Sequence, residues 1–251
     1  MIIRNLFFPP KCVFCKKVLP ITHKIPNICR TCSDNIIKLP VKTCNICGKP
    51  KDVGYDKPYC MYCAGKLPDS ALVISLFNYE PEIRSSVLRF KFGNKPYYAK
   101  TFAYLIYERL KAYNLENSLD AIIPTPISLK RLLKRGYNQS YLLAKALSKY
   151  TKTPVINALK KIKDTPPQST LSKEKRISNL KGSIAINKKA VVPSRVMLLD
   201  DVYTTGTTAA TCAKILRKNG AKHILVGTIA MHLPNDDFSN APVRTEDNLP
   251  D

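Results

Sequence analysis

Eight of the nine cysteines in this 251-residue chain fall into four Cys-x-x-Cys pairs, all within the first 63 residues. The pairs are Cys12/Cys15, Cys29/Cys32, Cys44/Cys47 and Cys60/Cys63, with thirteen residues between the first two and twelve between the last two. A two-residue gap lets both sulfurs of a knuckle converge on one ion, and two knuckles complete a tetrahedral four-cysteine shell. A redox Cys-x-x-Cys normally stands singly beside a βαβ pattern, and disulfides need an oxidising compartment that no export signal announces here. Structural zinc is therefore the reading, with a four-cysteine iron–sulfur cluster as the alternative. Two zinc ions are expected, by sequential or by cross-brace pairing. Such a shell leaves no position for water, so the ions are structural rather than catalytic. Prolines crowd the same stretch (Pro9, Pro10, Pro20, Pro26, Pro40, Pro50, Pro58, Pro68) and forbid a long helix. A segment this small buries too little apolar area to fold alone, so metal must supply folding energy.

Beyond the cysteines the pattern changes to alternating strands and helices. Ser70–Tyr79 reads as a strand, Glu82–Phe92 as a helix with Ile83, Val87 and Leu88 inward, and Tyr97–Tyr113 as a second helix. A short strand over Leu119–Ile123 stops at Pro124-Thr125-Pro126. Ser128 then caps one long helix to about Tyr150, with Leu129, Leu132, Leu133, Gly136, Leu143 and Leu147 on its apolar face. Lys160–Leu180 reads as a polar, mobile loop, followed by strands over Ser183–Ile186, Arg195–Leu199 and His223–Ile229. A helix over Thr207–Asn219 precedes the last strand. Cys212, alone in that helix, reads as a small core residue. The expected division is a double zinc ribbon over 1–68, an α/β domain with a mostly parallel sheet over 69–234, and a disordered acidic tail over 235–251. No segment is apolar enough to span a bilayer and the N-terminus lacks a secretory pattern, so a soluble cytoplasmic protein is expected.

Charge narrows the partners. The chain carries a formal +23, and because the tail is −4 the remainder carries +27. Such an excess points to polyanions such as nucleic acid, phosphorylated substrate or anionic lipid, or to lysine used as a default surface residue. Ser128–Tyr150 holds six basic residues and no acid, and Lys160–Lys181 holds seven basic residues and two acids. Tyr137, Tyr141 and Tyr150 interleave with the first cluster, where aromatic faces can stack unpaired bases while cations track phosphates.

The chemistry concentrates in Val196–Thr208, where an apolar strand delivers Asp200 and Asp201 to a Thr204-Thr205-Gly206-Thr207-Thr208 loop at the start of a helix. Backbone N–H groups of such a loop form an anion nest, the threonine hydroxyls add donors, and glycine admits close backbone approach. Two carboxylates beside a phosphate nest suit sugar hydroxyls, so a ribose 5-phosphate fits both halves. Lys130, Arg131, Lys134 and Arg135 follow a strand end closely enough to face a pyrophosphate, or else form a solvated helix face.

Leu198–Thr208 resembles the PRPP-binding signature of type I phosphoribosyltransferases. More of the chain, roughly Cys12–Ala230, resembles the ComF/ComFC competence-protein branch of that superfamily. The resemblance lies in the double zinc ribbon, Pro124-Thr-Pro-Ile, Arg135-Gly-Tyr-Asn-Gln139, Thr165-Pro-Pro-Gln168, and Arg176 with Asn179-Leu-Lys-Gly182. The departures are Ile184, where an aromatic residue is usual, and Lys161 and Lys163, where arginine is common. The resemblance implies a type I phosphoribosyltransferase-like α/β fold behind the ribbon. It gives Asp200 and Asp201 the ribose hydroxyls and any catalytic role, Thr204–Thr208 the 5-phosphate, and Pro124-Thr125-Pro126 the place of the pyrophosphate loop. Arg135 joins the PRPP set, residues Gln168–Arg176 cover the site, and magnesium accompanies bound PRPP. Lys130, Arg131, Lys134 and Arg135 form the nucleic-acid set. The implied partners are single-stranded DNA, PRPP or a ribose 5-phosphate-like ligand, and a competence helicase or another DNA-processing protein. The implied function is single-stranded DNA handling in natural transformation; the alternatives are a phosphoribosyltransferase of nucleotide salvage and a PRPP-sensing regulator. Turnover of PRPP does not follow from fold and pocket alone.

Overall fold

The computed structural model describes residues 9–20, 25–51, 57–60, 63, 72–164 and 182–233. The expected cover over the site and the acidic tail lie outside the described residues.

The sheet follows from four apolar strands buried on both faces. β1 (Leu72–Asn78), β2 (Ala121–Pro124), β5 (Arg195–Leu199) and β7 (His223–Met231) pair in the order β1-β7-β5-β2, and the two-residue β6 (Val202–Tyr203) pairs β7. Every one of these pairings is parallel, with Leu72 opposite Leu225, Arg195 opposite His223 and Ala121 opposite Val196. A parallel sheet needs helical crossovers that cover both faces, which is why its strands read as unbroken apolar runs. Successive residues face opposite cores. Met197 and Leu199 join one cluster with Ile74, Phe90, Phe102 and Leu143. Val196 and Leu198 join the other with Ile123, Cys212 and Leu216.

Helices α2 (Pro81–Phe92), α3 (Tyr98–Ala112) and α5 (Gln139–Thr151) supply the first core. Helix α6 (Thr207–Lys218) and a small antiparallel hairpin of β3 (Leu159–Lys161) and β4 (Ile184–Ile186) supply the second. The stretch expected to be loop from Lys160 thus begins as strand. In α2 the buried residues are Ile83, Ser86, Val87 and Phe90, so Phe90 rather than Leu88 completes the inward stripe.

The expected long helix after Ser128 is two helices. α4 (Leu129–Arg135) ends at Gly136 in the left-handed region (φ 78°), and α5 restarts under Asn138, whose Oδ1 accepts from the backbone N–H groups of Ser140 and Tyr141. Both signals, a C-terminal glycine and an Asx N-cap, override the apolar periodicity. α4 is also turned the unexpected way. Leu129 and Leu133 are 68% and 76% exposed, whereas Arg131 and Arg135 are half-buried. The arginines, not the leucines, face the body of the protein.

Among its described residues the cysteine-rich segment contains one short helix, α1 (Arg30–Asn35), and it is welded to the sheet layers. Phe14 meets Phe77 and Phe102 edge-on at centroid distances of 5.6 and 6.3 Å. The Val13 carbonyl accepts from Ser86 Oγ at 2.7 Å and from Arg89 Nη2 at 2.9 Å. The buried Arg109 donates to the carbonyls of Leu39 and Pro40. Among the described residues no helix is long and apolar enough to cross a membrane.

Candidate functional site

The eight paired cysteines assemble into two groups, Cys12/Cys15/Cys29/Cys32 and Cys44/Cys47/Cys60/Cys63, with the sulfurs of each within 4.8 Å of one another. Pairing is therefore sequential. Zn–S bonds of about 2.3 Å give tetrahedral edges of about 3.8 Å, and Cys47 and Cys60 stand at 3.8 Å and Cys15 and Cys29 at 3.5 Å. Backbone donors prepare one thiolate in each group. The Cys32 N–H holds the Cys29 thiol down at about 7. Burial pushes Cys44 up, but the N–H groups of Cys47, Cys60 and Ile46 outweigh it and bring the thiol to about 7. Burial pushes Cys32 and Cys47 upward, with neighbouring sulfurs adding to it, and carries Cys63 to about 11. Four sulfurs this close ionise together only around a cation, and the donor set suits zinc.

The second centre forms where β5 ends. Asp200 Oδ1 accepts from Thr125 Oγ1 at 2.8 Å, from Ser140 Oγ at 3.1 Å and from the Asp201 N–H at 2.9 Å. Asp201, 9% exposed, is held by Lys91 Nζ at 2.9 Å. Each partner comes from a different element. Thr125 follows β2, Ser140 lies in the first turn of α5, and Lys91 lies in the last turn of α2. Burial and the neighbouring Asp201 charge push Asp200 up to about 6, against the pull of Thr125, the Asp201 N–H and Lys91. Burial pulls Lys91 down, yet the two carboxylates outweigh it and hold its pKa above the ordinary value.

Arg135-Gly-Tyr-Asn-Gln139 is the clamp that sets this geometry. Gln139, 1% exposed, donates to the Lys91 carbonyl at 3.1 Å and accepts from Arg135 Nη1 at 3.1 Å. Tyr137 donates to the Phe90 carbonyl, and Asn138 Nδ2 donates to the Thr125 carbonyl at 3.0 Å. The motif thereby fixes the two turns that deliver Lys91 and Thr125. Arg135 lies 4.6 Å over the Phe92 ring, and burial lowers its pKa while the Asp201 charge opposes the shift. Lys161 donates to Ser183 Oγ at 3.2 Å, and burial and the Arg131 charge lower its pKa.

After the carboxylates the chain stays tied to β7, with Ile229 N–H on the Asp201 carbonyl at 3.1 Å and His232 N–H on the Tyr203 carbonyl at 2.8 Å. Gly206 takes the left-handed conformation (φ 73°) as N-cap of α6 and offers no side chain to the first-turn N–H groups. Those donors have no partner inside the helix and carry the positive end of its dipole. Thr205 and Thr207 hydroxyls lie 2.8 Å apart at the surface beside them.

Of the expected site residues, the structure brings together Asp200, Asp201, Thr204–Thr208 and Arg135 in one region. Arg131 stands near Arg135 and Lys161, since its charge lowers both pKa values. Lys130 and Lys134 are exposed. The stacking role expected for the tyrosines is corrected in part. The Tyr150 ring stacks on Tyr107 at 5.5 Å, and the Tyr137 ring packs on Phe90 at 6.2 Å. Cys212 is fully buried as expected, its thiol pushed up by burial and by the Asp200 charge. Lys91 and Ser140 were missed by sequence reasoning. The available signal for Lys91 was a cation between Phe90 and Phe92 at the end of an amphipathic helix.

Residues 3–64 match the family model of the double zinc ribbon domain. Competence protein F of Haemophilus influenzae is 33% identical over 230 residues, covering 89% of this chain and 98% of the relative. The chain belongs to the ComF competence-protein family. The DNA utilization protein YhgH of Salmonella typhi is 28% identical over 225 residues, covering 88% of this chain and 96% of that protein. Among solved structures, adenine phosphoribosyltransferase from Saccharomyces cerevisiae aligns with a TM-score of 0.38 and 17% identity, over 57% of this chain and 72% of that one.

Two outcomes follow. ICP-MS of the purified protein should give two zinc ions per chain, and a value well below two contradicts the two-site assignment. Asp200 has its folded pKa raised to about 6 from an ordinary 3.8. The unfolded chain therefore loses this proton first, and stability falls as pH rises between those values. Asp200→Asn, which keeps an acceptor for Thr125 and Ser140, should stabilise the protein by about 2–3 kcal/mol at pH 7, shrinking to about 1 kcal/mol near pH 4.5. Urea unfolding at both pH values, with zinc retention verified, checks it. A pH-independent difference contradicts the assignment.

Proposed function

We propose that this protein binds PRPP or a related ribose 5-phosphate at the carboxyl end of its sheet and handles single-stranded DNA in competence. The observation that carries the first half is the junction of two carboxylates with an uncapped helix N-terminus. Asp200 and Asp201 suit vicinal sugar hydroxyls, and the N–H groups of Thr207 and Thr208 with the Thr205 hydroxyl suit a phosphate dianion. The half-buried Arg131 and Arg135 on α4 supply planar donors for a diphosphate, which brings its own magnesium. Lys91 offsets one of the two carboxylate charges before ligand arrives, and sugar hydroxyls would share Asp201 with it.

The second half is supported by family membership and by charge. The names of the relatives, a competence protein and a DNA utilization protein, point to DNA. Between Asp120 and Asp164 the sequence holds ten lysines and arginines and no acid. Lys130, Lys134, Lys145, Lys149, Lys152, Lys160 and Lys163 are all exposed. Exposed cations without acids track a phosphate backbone independently of sequence.

The two faces of α4 separate the two activities. Arg131→Ala with Arg135→Ala should weaken PRPP binding in calorimetry. Lys130→Ala with Lys134→Ala should leave PRPP binding alone and weaken DNA binding. In fluorescence anisotropy the salt slope on a single strand should flatten by up to about 0.7 per lost phosphate contact. Asp200→Ala with Asp201→Ala should abolish PRPP binding with zinc content intact. A duplex preference, or unchanged PRPP affinity in the carboxylate variant, contradicts the reading. Nucleobase-dependent pyrophosphate release from PRPP would instead make the protein a salvage phosphoribosyltransferase.

A further inference from the structure

Tyr203 stands between two parts of the molecule that no motif joins. Its backbone is fixed, paired with Met231 in the sheet and bonded through its carbonyl to the His232 N–H. Its side chain packs against the buried cluster of Leu39, Met231 and Leu233. Leu39 belongs to the cysteine-rich segment, between the two cysteine groups, and its own N–H is bonded to the Leu76 carbonyl at 2.9 Å. On its other side the Tyr203 ring covers Gly206. A Cβ at Gly206 would stand 2.7 Å from Tyr203 Cζ and would collide with the phenol oxygen. One ring therefore touches both the ribbon and the turn that opens α6.

The two zinc sites differ in what they hold. Cys12 and Cys29 are part of the main core with Val13, Phe14 and Leu19. Cys44, Cys60 and Cys63 form a cluster of their own with Ile46, Cys47 and Tyr59. Loss of an ion from the first group would threaten the core, whereas loss from the second would loosen a satellite cluster.

We infer that Tyr203 is a positioning residue that braces the Gly206 turn against the cysteine-rich segment at Leu39 and so aligns the phosphate-facing N–H groups of α6. The bracing is a property of the fold, while its consequence for ligand rests on the ribose-phosphate reading given above. The ring carries the bracing: its contacts with Leu39, Met231 and Leu233 are apolar, and its Cζ–Cε2 edge lies over Gly206 beside the phenol oxygen.

Hydrogen exchange by mass spectrometry on the full zinc-loaded chain tests this, comparing wild type with Tyr203→Ala, Tyr203→Phe and Leu39→Ala. Amides over residues 204–210 should exchange about tenfold faster in both alanine variants, with the β5 and β7 peptides unchanged and the phenylalanine variant like wild type. Should Leu39→Ala fail to fold, Tyr203→Ala with two zinc ions still bound carries the test. Unchanged exchange over 204–210 in Tyr203→Ala overturns the inference, as does a rise shared equally by the sheet. In calorimetry with ribose 5-phosphate, Tyr203→Ala should lose about tenfold in affinity, equivalent to about 1.4 kcal/mol, and Tyr203→Phe should not. If wild type binds no ribose 5-phosphate while the exchange pattern holds, the ligand reading fails and the bracing stands.

Discussion

Two adjacent carboxylates at the end of an apolar strand repel each other and resist burial, and the architecture around them answers that electrostatic problem. Asp201 receives the Lys91 ammonium at 2.9 Å, while Asp200 receives two hydroxyls and a backbone N–H on a single oxygen. Each answer requires another element to arrive in register. Lys91 depends on where α2 ends, Thr125 on where β2 ends, and Ser140 on the N-cap of α5. Gln139 and Asn138 tie those ends together through the Lys91 and Thr125 carbonyls. Retaining a strained acid pair is the kind of local compromise that marks functional sites.

The zinc ribbon enters the same logic through packing. Its first knuckle supplies Phe14 to the core beneath the sheet and its Val13 carbonyl to Arg89 on α2, the helix that carries Lys91. Arg109 of α3 holds the chain between the two cysteine groups by the carbonyls of Leu39 and Pro40, with no acidic partner among the described residues. The cysteine-rich segment is thus built into the layer that positions the site. Its first cysteine group forms part of the wall of the main core, so zinc bound there would stabilise the same core.

What was legible in the sequence follows from the range of each interaction. The cysteine groups were legible because Cys-x-x-Cys is a local geometric device, yet sequential pairing needed the structure. Strand and helix positions were legible where burial has one period, as in Arg195–Leu199 and Tyr98–Ala112. α4 misled because its leucines face outward and its arginines inward, an inversion imposed by the site rather than by periodicity. The break at Gly136 was legible in principle, since a glycine and an Asx cap stand two residues apart. Lys91 was not, because a lysine in a last helical turn ordinarily serves the helix dipole, and only the fold sets it 110 residues from Asp201 in sequence and 2.9 Å in space. Arg135-Gly-Tyr-Asn-Gln139 was visible as a motif, but its role as a clamp on Lys91 and Thr125 was not.

The central claim is that the acid pair and the α6 N-terminus form one ribose-phosphate site. A crystal structure of the zinc-loaded protein with ribose 5-phosphate tests it most directly. The account predicts phosphate oxygens on the N–H groups of Thr207 and Thr208, sugar hydroxyls on Asp200 and Asp201, and Lys91 still within reach of Asp201. Phosphate bound away from Gly206, with the sugar remote from both carboxylates, would contradict it.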